Sequence, residues 1–318
     1  MEYQEVTQFN SPDFYTRLEG RLAKGRLGFA ADIDGTLSPI AATPGAASIT
    51  PACREALIAL KQSRQVEVVA LITGRSSLDA REMVGLPDLL YLGNNGLEAL
   101  VPGSEVSYPV KAARPYLPLI STVLEALKNR LLRETVRTTS SATPVSVSGW
   151  QKDLIFENKG ITASIHYRLC PDPELARQTI LQYASEIASK AGLRVKEGRM
   201  VVELRPPVEI NKGTAIMDLV DLFHLESMVF VGDDLTDVDA FHALKRLEKE
   251  SRPVMRSANS SFEGIGVGVR SLEMPDQLAS SADFLLDGVR GVEEFLQWFS
   301  TRANSLNFPM PDQPRIAS

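Results

Sequence analysis

Leu27-Gly28-Phe29-Ala30-Ala31-Asp32-Ile33-Asp34-Gly35-Thr36-Leu37 is the stretch that decides how the chain is read. Leu27 to Ile33 is a brief apolar run of strand length that ends in acidic residues and glycine. In open α/β sheets, ligands bind beyond the carboxyl ends of the strands. Asp32 and Asp34, two residues apart on a chain turning at Gly35, can both be aimed at such a crevice. The arrangement recurs in Val231-Gly232-Asp233-Asp234-Leu235-Thr236-Asp237, again an apolar strand running into clustered aspartates. A lone aspartate after a strand is a turn former or a helix cap. Two such clusters in one α/β frame point to a shared site. Four or five converging carboxylates repel one another, and a hard divalent cation with oxygen ligands, most simply Mg²⁺, resolves that.

Working outward, short apolar runs alternate with helical patterns. Thr50-Pro51 opens a helix through Lys61, with threonine as N-cap and proline in the first turn. Val66 to Ile72 reads as a second strand, stopped by Thr73-Gly74-Arg75. Ser76 to Met83 is the next helix and Leu89 to Leu92 a third strand, a repetition that argues for a parallel sheet with helices on its faces. From about residue 108 to 207 the style changes. A helix (Pro118 to Leu132) leads to two alternating segments, Trp150 to Glu157 and Ile161 to Arg168. Then come a helix (Pro173 to Lys190) and a hairpin, Leu193 to Lys196 and Met200 to Arg205, turning at Glu197-Gly198-Arg199. This is a small α+β unit with an antiparallel sheet. After Pro206-Pro207 the first style resumes, with helices Gly213 to Phe223, Asp237 to Leu247 and Val289 to Phe299. Between those helices lie strands at Met228 to Val231, Gly264 to Val269 and Asp283 to Leu286.

The expectation is therefore a Rossmann-like doubly wound α/β core, residues 21–107 and 208–300, interrupted by an inserted α+β module, residues 108–207. Residues 1–20 and 301–318 read as tails, the latter with three prolines between Asn307 and Pro314 that bar a helix.

The chain of 318 residues fits about two domains. Its 44% hydrophobic and 23% charged residues are ordinary globular usage. No apolar run approaches a membrane span, and the opening MEYQEVTQF lacks the basic flank and apolar run of a signal peptide. Only two cysteines, Cys53 and Cys170, occur, which suits a reducing cytoplasm. With a net charge of −6 and no Lys/Arg run, neither nucleic acid nor a membrane is an expected partner. Any anionic ligand must be held by a local site.

Two polar residues fall at the remaining strand ends. Thr73 can donate a hydroxyl to a phosphate oxygen, and Lys212, at a helix start in Asn211-Lys212-Gly213, can place an ammonium beside the aspartates. The order DIDGT, ITGR, NKG and GDDLTD resembles the four motifs of the haloacid dehalogenase-like phosphatase superfamily. With LGNNGLE, ENKGITASIHYR and GRMVVELRP added, the chain is similar to trehalose-6-phosphate phosphatases over residues ~27 to 300. Several expectations follow from that resemblance. Asp32 would be the nucleophile forming an aspartyl-phosphate, and Asp34 the acid and then the base. Thr73 and Lys212 would complete the catalytic set. Mg²⁺ would be held by Asp32, Asp233 and the Asp34 carbonyl, with Asp237 steadying its waters. The insert would be a mobile cap. Arg75, Asn95, Glu157, Lys159, Arg168 and Glu203 would bind substrate, and His166 shares a strand face with Arg168. The implied substrate is trehalose 6-phosphate, with a trehalose-phosphate synthase as a possible partner. Other sugar or glycoside phosphates, or a silent sugar-phosphate sensor, are the alternatives.

Two positions depart from the family pattern. Asn95 stands where histidine is usual, and Val238 where an acidic residue usually follows GDDLTD. A dinucleotide site at Gly264-Ile265-Gly266-Val267-Gly268 is set aside, because position 269 is valine and the string reads as a late strand.

Overall fold

Val66 to Ile72 shows why the sheet is covered on both sides. Val69 and Leu71 belong to one apolar layer, and Val68, Ala70 and Ile72 to the other. Successive side chains of a strand face opposite ways, so the unbroken apolar run Val68 to Ile72 must be buried on both sides, with Glu67 before it left exposed.

The computed structural model describes residues 7–8, 12–22, 26–133, 149–250, 262–271 and 274–305. The first elements are β1 (Thr7–Gln8), α1 (Pro12–Leu22), β2 (Leu27–Ala31), α2 (Pro51–Gln62), β3 (Val66–Ile72) and α3 (Ser77–Val84). They continue with β4 (Leu90–Gly93), β5 (Glu98–Leu100) and β6 (Tyr108–Pro109). Next come α4 (Leu117–Leu132), β7 (Ile155–Asn158), β8 (Ala163–His166), α5 (Pro173–Lys190), β9 (Arg194–Gly198) and β10 (Val201–Arg205). The chain then adds α6 (Lys212–Phe223), β11 (Ser227–Gly232), α7 (Leu235–Lys249) and β12 (Glu263–Arg270). It closes with α8 (Asp276–Ser281), β13 (Phe284–Asp287) and α9 (Gly288–Ser305).

The larger sheet has the order β1-β13-β12-β11-β2-β3-β4-β5-β6. It is parallel from β1 to β4, and β5 and β6 add an antiparallel edge. The chain builds outward from β2 to β4 on one side and from β11 to β13 on the other. The order thus reverses between the neighbours β2 and β11, the switch point at which doubly wound sheets open a crevice. Leu57 and Leu60 of α2 and Phe295 and Phe299 of α9 cover one face. Ile216 and Leu219 of α6 and Phe241 and Leu244 of α7 cover the other. Gly266 lets α7 approach, since a Cβ there would lie 2.6 Å from Phe241 Cδ1. The glycine-rich string is thus a central strand and no helix-opening loop.

The smaller sheet is antiparallel, in the order β7-β8-β10-β9. Ala163, Ile165, Val202 and Leu204 pack with Leu127 of α4 and Ile180 and Ala184 of α5. The alternate residues Glu157, Ser164, Glu203 and Lys196 form one cross-strand row on the opposite face. One face is oily and one polar, as expected of an antiparallel sheet covered on a single side.

The structure corrects the sequence reading at several points. Residues 12–22 are a helix and no tail, because Phe14 and Leu18, spaced i and i+4, bury fully. Phe14 meets the rings of Phe284 and Phe295 edge-on at 4.6 and 5.7 Å. α9 runs past residue 300 to Ser305, with Ala303 buried and Asn304 donating to the Ala59 carbonyl. Residues 1–6 and the proline-rich stretch after 305 lie outside the described residues. Trp150 to Asp153 form a 3-10 turn instead of the start of a strand, because Gly149 (φ 142°) turns the chain and Trp150 buries. α7 begins at Leu235, two residues earlier than expected. Among the described residues, no helix is long and apolar enough to cross a membrane.

The docking of α1 is testable by chemical denaturation. Phe14→Ala should lower stability by about 3–5 kcal/mol, the usual cost of emptying a buried phenylalanine site. A loss below about 0.5 kcal/mol, typical of a surface change, would mean that the segment is the tail its composition suggests.

Candidate active site

Three strand ends converge at the switch point. β2 runs into Asp32, β3 into Thr73 and β11 into Asp233. The Asp32 N–H donates to the Val231 carbonyl at 2.9 Å, which ties the two acidic loops together. Gly35, with φ 88°, adopts a left-handed conformation. A Cβ there would fall 2.2 Å from Asp233 Oδ2, so only glycine admits that carboxylate.

Asp32, Asp233 and Asp237 are buried, and one carboxylate oxygen from each lies within 4.8 Å of those of the other two. The α6 start supplies the countercharge. Asn211 caps the helix through the Thr214 N–H, leaving Lys212 as its first residue. The Lys212 side chain is 1% exposed, and its Nζ stands 3.0 Å from Asp32 Oδ1 and 2.6 Å from Asp237 Oδ1. Burial opposes a charged lysine, but Asp237 and Asp32 outweigh it and hold the ammonium protonated. Asp237 also takes the N–H groups of Asp233 and Asp234 on its other oxygen, both at 2.9 Å. Both its oxygens are therefore engaged by protein, and it braces the loop from beneath. Thr36 Oγ1 donates to Asp233 Oδ1 at 3.3 Å.

The Lys212 ammonium and a guanidinium, that of Arg199 3.4 Å from Asp233 Oδ2, leave this three-carboxylate cluster short of positive charge. Burial first, then repulsion from neighbouring carboxylates, raises the pKa of Asp32 well above the ordinary range despite Lys212. Burial and Asp237 push Asp233 up to about 7. A group of oxygen donors short of positive charge suits a hard divalent cation. The residues present fit such an ion.

Asp34 faces the same cleft, gripped by Arg75 through two hydrogen bonds of 2.7 and 2.8 Å. Arg75 in turn donates to Asp79 and to the Pro44 carbonyl. Thr73 is buried, and its Oγ1 accepts from the Arg75 N–H. Asn95, left-handed at φ 59°, donates its N–H to the Thr73 carbonyl, and its buried Oδ1 has no protein partner among the described residues.

The polar face of the smaller sheet closes the other side of this cleft of about 260 Å³. Glu157, Lys159, Arg168 and Glu203 all line it, together with Asp32, Asp34, Thr73, Arg75, Asn95, Lys212 and Asp233. Asp237 lies just behind the wall. Lys159 reaches back to the Gly74 carbonyl at 3.0 Å and lies 3.8 Å from both Glu157 and Glu203. His166 Nε2 meets Glu157 Oε2 at 2.8 Å, and its contacts hold the Glu157 pKa down against burial. Val238 sits in the apolar layer beneath α7 and does not face the aspartates. The cleft also holds residues that the sequence reading did not single out for the site: Arg199, Arg205, Ser164 and Lys196. Arg199, read only as a turn residue, lies at the hairpin tip. It contacts Asp233 and Asp234 at 3.4 and 3.3 Å. A cation at the tip of the insert's hairpin is the one signal that could have flagged it.

The sequence profile of the trehalose-phosphatase family matches residues 30–264. A trehalose-phosphate phosphatase of Mycobacterium marinum is 29% identical over 285 residues, covering 86% of this chain and 62% of that protein. A probable trehalose-phosphate phosphatase of Oryza sativa is 29% identical, covering 90% of this chain and 70% of its own length. The chain thus spans less than two thirds of the mycobacterial relative. Among solved structures, the C-terminal domain of a C. albicans trehalose-6-phosphate phosphatase matches with a TM-score of 0.70 at 20% identity, covering 94% of this chain and 99% of that domain. That likeness establishes the shared fold. The profile spans most of the chain and includes both aspartate loops, the lysine between them and the inserted sheet above, so the chain belongs to the trehalose-phosphatase family.

Proposed function

We propose that the protein hydrolyses trehalose 6-phosphate to trehalose and phosphate, with Asp32 as nucleophile. The observation that carries this reading is the buried lysine–aspartate cluster at the switch point, facing the polar side of the inserted sheet across a single cleft.

An ionised Asp32 approaching a phosphate dianion at ~3.5 Å meets roughly 9 kcal/mol of repulsion at an effective dielectric of ~20. Positive charge must offset it. Lys212 supplies part, and Asp32, Asp233 and the Asp34 backbone carbonyl would hold a Mg²⁺ that supplies the rest. Asp32 forms a bond to phosphorus as the bond to the sugar oxygen breaks. Asp34, oriented by Arg75, protonates that leaving oxygen and later takes the proton of the water that releases phosphate. Thr73 donates its hydroxyl to a phosphate oxygen. The unpartnered Asn95 Oδ1 marks a place where a sugar hydroxyl would relieve a buried acceptor.

The inserted sheet acts as the cap. Glu157, Lys159, Arg168 and Glu203 present carboxylates and cations to the distal sugar, a pairing suited to charge-assisted hydrogen bonds with hydroxyls. Its docking over the cleft excludes water from the reacting groups. The sugar phosphate is the partner that this site requires.

Two outcomes test the reading. Phosphate release from trehalose 6-phosphate should require Mg²⁺ and exceed that from sucrose phosphate, mannosylglycerate phosphate and glucose 6-phosphate. A flat profile would remove the trehalose assignment, and no release from any of them would leave a sensor. Asp32→Asn should abolish turnover with the fold intact, and normal activity in that variant would refute the nucleophile.

The proposed cation site makes a further prediction. A carboxyl whose pKa is raised in the folded state binds its proton more tightly folded than unfolded. Its stabilising effect is thus largest at low pH and is lost as pH rises from the ordinary carboxylate range towards about 7 for Asp233. Cation binding relieves the same deficit in competition with protons. The Mg²⁺-induced rise in Tm should therefore be larger near pH 8 than near pH 5, and an equal rise at both would contradict the cluster as the binding site.

A further inference from the structure

Each acidic group of the site has a protein cation against it. Lys212 serves Asp32 and Asp237, and Arg75 serves Asp34. The third cation comes from the inserted sheet. Gly198 pairs with Val201, so the β9–β10 hairpin turns on two residues, Arg199 and Met200. Met200 takes the left-handed conformation at φ 57°. The paired strands hold this tip over the core, and the Arg199 side chain is only 17% exposed. Its guanidinium nitrogens lie 3.4 Å from Asp233 Oδ2 and 3.3 Å from Asp234 Oδ1.

Asp233 is itself 1% exposed and belongs to the three-carboxylate group that suits a divalent cation. A guanidinium and a hard cation draw on the same carboxylate, and like charges held close in a buried site repel. Other direct links from the insert to the core, the Lys159 bond to Gly74 and the Thr162 bond to Asn94, leave the aspartates alone.

We propose that Arg199 is a cap-borne positioning residue that competes with the divalent cation for Asp233, so that docking of the hairpin and occupancy of the cation site oppose each other. The inference rests on the proposed cation site and is independent of which sugar phosphate is cleaved. Linkage makes the effect reciprocal. A cation bound at Asp233 loosens the hairpin, and a docked hairpin weakens the cation by the same factor. In the absence of substrate, whose phosphate attracts both cations, the cation-loaded core then favours an open cleft.

The test uses the full-length chain stripped of metal by chelation, without substrate. Mn²⁺ binding is followed by the electron paramagnetic resonance of the free ion. Arg199→Gln should bind Mn²⁺ about tenfold tighter than wild type, a typical coupling between two sites. Arg199→Lys, which keeps the charge but loses the two-pronged contact, should fall between them. In parallel, nitroxides at Lys190 of α5 and Arg290 of α9, both well exposed, report the distance between the insert and the core. Mg²⁺ should lengthen it in wild type, and Arg199→Gln should show the longer distance before Mg²⁺ is added. Equal or weaker Mn²⁺ binding in Arg199→Gln, or a distance that Mg²⁺ does not move, would overturn the competition. Failure of every variant to bind Mn²⁺ would overturn the cation site as well.

Discussion

The structure depends on one buried ammonium. Lys212, almost wholly shielded from solvent, is held between Asp32 from one strand end and Asp237 from the start of another helix. A buried charge is tolerated only when it is paired, and taking away one partner leaves the other uncompensated. The Lys212 pairing therefore constrains where β2, β11, α6 and α7 can lie. It brings together residues about 200 positions apart in sequence, and with Gly35 and the bracing Asp237 it fixes the spacing of the carboxylates. The charge that remains unbalanced makes the cluster a fit for a divalent cation.

Sheet topology makes that constraint affordable to the fold. Because the strand order reverses between β2 and β11, both acidic loops leave the sheet on the same side with nothing between them. The second half of the site follows from a simpler rule. An antiparallel sheet covered by helices on one face must offer its other face to something polar, and here that face looks onto the aspartates. The row Glu157, Ser164, Glu203 and Lys196 is as much a consequence of period-two alternation as Ala163, Ile165, Val202 and Leu204 on the reverse. Core and insert thus line one cleft from two sides, with the buried carboxylate cluster below and a row of polar side chains above.

Much of this was legible in the chain. β3 and α5 lie where the sequence places them, because Val68 to Ile72 is an unbroken apolar run and Pro173 opens a long helical pattern through Lys190. The aspartate loops and Lys212 could be placed because each sits at the end of a recognisable strand or the start of a helix. What could not be read is what depends on long-range packing. α1 carries just enough apolar residues for one narrow face, and only the aromatic pocket formed by Phe284 and Phe295 makes Phe14 a core residue. The 3-10 turn at Trp150 and the edge strands β5 and β6 are likewise set by what they pack or pair against. Arg199 escaped notice because a turn residue reveals its target only once the hairpin is folded over the core. Val238 could be seen to differ from the family pattern, but its apolar surroundings could not.

On the reading proposed above, carboxylates from the two halves of the core share one ion. X-ray diffraction at the manganese edge from crystals grown with Mn²⁺ tests it most directly. One anomalous peak is expected, bounded by the Asp32 and Asp233 carboxylates, with Lys212 still paired to Asp237. A peak elsewhere, or none between those two side chains at saturating Mn²⁺, would contradict it.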